Sequence, residues 1–161
     1  MARKPPPTKV IVPQRRKDLF TRQRLNNLLY DLLDEKLILV IAPAGYGKTS
    51  LLIDFAYQVD LPVCWYAVDG FDQTPERFFT YFIAALHRRF PEFGEASKAA
   101  TKAINQFNPD INQLVSVIVN DAFEHIQEHF LIILDDYHLV SNVREIQAFI
   151  SRFINESAEN C

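Results

Sequence analysis

Cysteine is almost missing from this chain. Two thiols, Cys64 inside an apolar run and Cys161 at the terminus, make no disulfide framework, and a reducing cytosol fits that usage. A secretory signal is missing too: the first residues are basic and proline-rich, with no apolar stretch behind them. No hydrophobic run approaches the roughly 20 residues of a membrane span, so the chain reads as soluble and cytoplasmic, with no membrane partner. Positive charge is scarce beyond the N-terminus. Residues 1–24 hold eight Lys or Arg against one Asp, and residues 25–161 hold nine against nineteen Asp and Glu. With a formal net charge of −3, the body of the chain makes a poor nucleic-acid surface. The basic opening, Arg3-Lys4-Pro5-Pro6-Pro7 through Arg15-Arg16-Lys17, fits either a nucleic-acid arm or an extended, solvated leader of polyproline character. We read residues 1–9 as the leader.

What is present is a folded domain's worth of chain, 161 residues with 48% hydrophobic content. One octapeptide dominates it: Ala42-Pro43-Ala44-Gly45-Tyr46-Gly47-Lys48-Thr49 fits the phosphate-binding P-loop, with alanine in place of the usual first glycine. Before it, Leu37-Ile38-Leu39-Val40-Ile41 reads as a buried strand, and after it Leu51, Leu52, Phe55 and Ala56 recur at helical spacing. Strand, glycine loop and helix is the context the motif requires. Backbone N–H groups of such a loop form a nest for an anion, and the helix turns its positive end toward it. The phosphate-binding set is then Ala44, Gly45, Tyr46, Gly47, Lys48, Thr49 and Ser50. Gly47 lets the backbone approach phosphate without a Cβ, Lys48 reaches the β/γ-phosphates, and the Thr49 hydroxyl ligates Mg²⁺. Tyr46 has no evident chemical role. The bland alternative is an ordinary strand-to-helix turn that uses glycine for tightness.

A phosphate loop alone does no chemistry, and a second half lies far downstream. Phe130-Leu131-Ile132-Ile133-Leu134 is an apolar run ending in Asp135-Asp136, the Walker B pattern. Two adjacent carboxylates capping a buried strand are costly unless a cation neutralises them. Asp135 would hold Mg²⁺, and Asp136 stands where a carboxylate polarises attacking water. The competing reading is a surface turn after a core strand. His138 follows closely, but a lone loop histidine is more often solvated. His125 and His129 are four apart among Glu124, Gln127 and Glu128, a solvated face, so no structural metal is assigned.

The remaining pattern alternates strands with helices. Thr21 reads as a helix N-cap before Leu25, Leu28, Leu29, Leu32 and Leu33. Val63 to Val68 reads as a second strand, and Thr74-Pro75-Glu76 starts a helix that runs to about Phe90. Residues 91–109 read as a loop with a short helix, Asp110 opens another helix, and a last one runs from Val143 to about Asn155. Most of the 13 Phe fall at apolar helical positions and read as core. The fold class is therefore α/β, a three-layer sandwich on a parallel sheet with its ligand at the carboxyl ends of the strands.

The octapeptide, Trp65-Tyr66-Ala67-Val68-Asp69, Arg77-Phe78 to Leu86, and Leu134-Asp135-Asp136-Tyr137-His138-Leu139 together resemble MalT-like regulators over nearly the whole chain from about Lys9. These are bacterial transcription activators of the STAND class of P-loop ATPases, often ending in a LuxR-type DNA-binding domain. The resemblance implies a switch that binds ATP or ADP with Mg²⁺ and hydrolyses slowly, with self-association of the full-length protein in its ATP form. It implies a segment closing over adenine, matched by Phe20-Thr21-Arg22, which makes Phe20 and Arg22 base-side contacts. For Phe20 the alternative is a hydrophobic staple ahead of the Thr21 cap. Residues 1–18 would be leader and 19–161 the nucleotide-binding domain. The family continues into a strand with a sensor arginine, a lid, a sensor domain and a helix-turn-helix. The missing strand would lie between the two motif strands, so the sheet is expected to be incomplete at the C-terminus and the chain to be a fragment, touching DNA only through an absent domain. A stand-alone small P-loop kinase, with Arg88, Arg89 and Arg144 as substrate-side candidates, and a non-catalytic interaction module remain open.

Overall fold

A computed structural model of the chain describes residues 7–18, 20–103, 110–158 and 161. Its elements are a 3-10 turn at Pro7–Val10, then α1 (Gln23–Asp31), α2 (Lys48–Gln58), β1 (Val63–Ala67), a second 3-10 turn (Gly70–Gln73), and α3 (Pro75–Arg89). They continue with α4 (Glu95–Ala103), α5 (Ile111–His125), β2 (Leu131–Asp135), a third 3-10 turn (Tyr137–Leu139) and α6 (Arg144–Glu156). No helix among the described residues is long and apolar enough to cross a membrane.

The fold is α/β, built on a parallel pair of strands that does not close into a larger sheet. β1 and β2 pair in register from Val63 opposite Leu131 to Ala67 opposite Asp135. Parallel neighbours need a long crossover, and here α3, α4 and α5 supply it. Pro75 at the first turn of α3 and the Asp110 carboxylate, which accepts from the Gln113 N–H, start two of these helices where the sequence placed them. The core is aromatic. Phe149 of α6 sits 4.7 Å from Phe79 and edge-on to Phe82 at 5.1 Å, and Phe153 is edge-on to Phe82 at the same separation. Offset and edge-on contacts of this kind are the favoured ring geometries.

Three expectations need correction. Leu37–Ile41 is not a buried strand: it is extended but unpaired, with Leu37 52%, Leu39 68% and Ile41 85% exposed. Its period of two is real, since Ile38 and Val40 pack against Leu29, Leu51 and Phe55. A strand, however, is made by a hydrogen-bonded neighbour, and among the described residues none lies beside it. The three-layer sandwich is accordingly only partly built. Thr21 is not the cap of α1; Arg22 holds that position and no side chain caps it. Finally, the leader is not solvated throughout. Val10 is buried, and the Lys9 ammonium is bound by Asp69 at 2.8 Å and by Asp72, beneath the Tyr81 ring at 4.6 Å.

Candidate functional site

The glycine octapeptide enters α2 through two left-handed residues. Gly45 has φ +82° and Gly47 φ +77°, a region that L side chains rarely adopt. Gly47 occupies the N-cap position and offers no side chain, and among the described residues no side chain caps the helix. The first N–H groups of α2, from Lys48 onward, therefore lack a capping partner, because a helix cannot satisfy them internally. They point out of the positive end of the helix. Lys48 folds its Nζ back onto the loop, donating to the Ala42 carbonyl at 2.7 Å and to that of Pro43 at 3.1 Å. This single cation holds the loop's two ends together at its mouth.

Across from the loop stands the end of β2. The Thr49 hydroxyl donates to Asp135 Oδ1 at 3.0 Å, so the two halves of the sequence pattern meet. Asp135 is 6% exposed. Burial pushes its carboxyl above the usual carboxylate range; the Thr49 hydrogen bond opposes that, and the neighbouring Asp136 charge adds to it. Asp136 is the one non-glycine residue with positive φ (57°) among the described residues, and its side chain remains half-exposed. Aspartate tolerates this conformation better than most residues. His138 Nδ1 is 3.8 Å from Asp136 Oδ1, with both side chains largely in solvent.

Phe20 and Arg22 lie on the far side of the loop. Arg22 Nη1 donates to the Tyr46 carbonyl at 2.8 Å, and its guanidinium stands 3.0 Å from where a Cβ on Gly47 would be. Any side chain at 47 would displace Arg22 as well as strain the backbone. Phe20 is 84% exposed, so it packs as no staple. A cavity of about 190 Å³ opens here, lined by Phe20, Arg22, Gly47, Ser50, Leu51 and Asp54. Ala44 and Gly45 form the turn, and the Tyr46 ring is exposed while its carbonyl is engaged. Sequence reasoning missed Asp54, buried on α2 and bound by Arg15 and Asn26, because a lone acid on an amphipathic helix reads as solvated.

No family model matches the chain. Curated proteins named HTH-type transcriptional regulator MalT are similar to it. That of Yersinia enterocolitica is 34% identical over 160 residues, covering 96% of this chain. Those of Serratia proteamaculans and Yersinia pestis are 33% and 31% identical, again over 96% of the chain. The chain spans only 16% of the length of each. It is thus MalT-like along nearly all of its own sequence.

Proposed function

We propose that this chain is the nucleotide-binding switch region of a MalT-like transcription regulator, taking ATP or ADP with Mg²⁺. The observation that carries this is the uncapped start of α2 behind two left-handed glycines, with Lys48 and the Thr49–Asp135 pair at its mouth. That arrangement suits a polyphosphate: N–H groups for its oxygens, a point charge for its outer phosphates, and oxygen ligands for its cation.

The residues fit Mg²⁺. Burial and the neighbouring Asp136 both disfavour the Asp135 charge, a cost that a divalent cation between the two carboxylates and the phosphates would offset. Among the described residues no group of three or more His, Cys, Asp or Glu forms a protein cage, and Mg²⁺ usually takes few protein ligands together with substrate phosphates and water. Thr49 and Asp135 would hold it, and it would supply charge neutralisation between the outer phosphates. Asp136, exposed and held in a left-handed turn, would accept the proton of an attacking water, which makes slow hydrolysis in the full-length regulator its role. Phe20 would cover one face of the base, and Arg22 would stand beside it on the base side of the loop. Self-association and DNA contact, in this reading, belong to the regulator as a whole, DNA through its remaining length.

Calorimetric titration tests the proposal. Removing the Lys48 ammonium takes away a charge-assisted contact of about 1.5–3 kcal/mol, roughly ten- to a hundredfold in affinity. Lys48→Ala should therefore weaken ATP binding by that factor, and identical titration curves for the two proteins would refute the assignment.

A further inference from the structure

The segment that walls the cavity is tied to the phosphate-loop helix by one buried carboxylate. Asp54, on α2, is 2% exposed. Arg15 Nε donates to it at 2.6 Å, Asn26 Nδ2 at 2.9 Å and the Thr21 hydroxyl at 3.4 Å. Arg15 Nη2 donates in addition to Thr21 Oγ1 at 2.9 Å, which closes a ring of three side chains. Burial opposes the Asp54 charge, but hydrogen bonds from Arg15, Asn26, Gln58 and Thr21 outweigh it and hold the carboxyl below its ordinary range. Apart from Gln58, which is on α2 itself, the donors come from residues 15–21 and from α1, outside the helix that carries the acceptor.

Their placement gives the network a direction. Thr21, bound to Asp54, sits between Phe20 and Arg22, the two residues of this segment that line the cavity. Arg22 is fixed at the other end by the Tyr46 carbonyl. Asp54 itself lies six residues along α2 from Lys48, about 9 Å of helix rise, too far to touch phosphates held at Lys48. We propose that Asp54 is a positioning residue: through Arg15, Thr21 and Asn26 it holds Phe20–Arg22 over the glycine loop, so that the nucleoside side of the site is formed before ligand arrives. This rests on the nucleotide-binding reading for its functional consequence, though not for the latch itself. Pre-formed walls raise affinity by removing the ordering cost at binding. The latch acts on the nucleoside part of the ligand and leaves the phosphate part alone.

Asp54→Asn keeps the size and removes the charge; Arg15→Gln opens the same network from its half-exposed side. Each variant is titrated with MgATP and with magnesium tripolyphosphate, which has the phosphates and no nucleoside, and hydrogen exchange is followed over residues 15–22. Both variants should lose roughly tenfold or more in ATP affinity, within the range usual for coupled sites, and less than twofold for tripolyphosphate. Exchange over the segment should quicken in both, and the double variant should be no worse than the weaker single one. Equal losses for the two ligands would mean a general structural role and overturn the proposal, as would unchanged exchange. If the wild type bound neither ligand, the nucleotide reading would fall, while quickened exchange in both variants would still support the latch and unchanged exchange would still refute it.

Discussion

Asp135 is where the site and the stability of the fold should pull in opposite directions. Its carboxyl is buried at the end of β2, raised by desolvation and by Asp136, and steadied by one hydroxyl from Thr49. A carboxyl raised in the folded state favours the protonated form there, so its charge costs stability at pH values above the unfolded pKa. Asp135→Asn removes that cost while keeping an oxygen for Thr49. Without ligand, we expect the variant to be more stable by about 1 kcal/mol, the size of a modest buried-polar imbalance. For a chain of this length that is a Tm rise of about 2–4 °C. If Asp135 holds Mg²⁺ as proposed, the same change removes a charge from the metal's ligands, so MgATP affinity should fall about ten- to a hundredfold, while ATP binding in EDTA changes little. Thermal melts and titrations on one preparation read both signs. A lower Tm together with unchanged MgATP affinity would refute the reasoning, because a purely structural aspartate gives that pair of results. Gains of this kind, stability against function, are usual where an active site carries strain.

Phe149 is fully buried among Phe78, Phe79, Phe82 and Phe153, so Phe149→Ala should cost about 3–5 kcal/mol in urea unfolding, much of a domain's margin; a loss under about 1 kcal/mol would refute that packing. His125 has its pKa raised, first by the Asp121 carbonyl that accepts from Nδ1 and then by the Asp121 and Glu124 charges, against opposing desolvation. Its stabilisation is therefore complete below the unfolded value of 6.5 and fades as pH rises through the folded one. The Tm difference between wild type and His125→Gln should shrink between pH 5.5 and 8.5, and a difference that grows with pH would contradict this. The unpaired segment with Leu37, Leu39 and Ile41 exposed should drive concentration-dependent association in sedimentation. Ile41→Lys should suppress it; association unaltered by this change would place the contact elsewhere.

How much of this was legible in the sequence depends on whether the deciding partner is local. Val63–Ala67, Leu131–Asp135 and the long helices stand where periodicity and their start signals put them, since an apolar face, Pro75 and Asp110 act over a few residues. The glycine loop was legible for the same reason: Gly45, Gly47, Lys48 and Thr49 fall within five residues of chain and are neighbours in space. Leu37–Ile41 shows the limit. Its inward residues obey the strand period and pack as expected, yet pairing depends on a neighbour that the pattern cannot supply. Thr21 shows it again, because a hydroxyl suited to cap α1 is taken by Asp54, far along the chain. Asp54 and Lys9 were illegible altogether. Each is a charged residue made interior by partners that sequence spacing does not announce: Arg15 and Asn26 for the one, Asp69 and Asp72 for the other.

These hidden pairs share a consequence for how the site is held. The aromatic core of α3 and α6 lies on the β1–β2 side, and a smaller apolar cluster of Leu29, Leu51 and Phe55 lies under α1 and α2. Among the described residues, the glycine-loop helix is tied to β2 through Leu131, which packs on the smaller cluster, and through the Thr49–Asp135 hydrogen bond. The leader crosses between the halves, with Lys9 anchored beside β1 and Arg15 anchored on α2. Under the proposed nucleotide reading, a change in ligand at Thr49 and Asp135 would act directly on a contact joining the two clusters, which the leader also bridges. A ligand shifts an equilibrium only through a difference in its interaction with the two states, and under the proposed nucleotide reading this junction is where such a difference would be felt, rather than in the larger core.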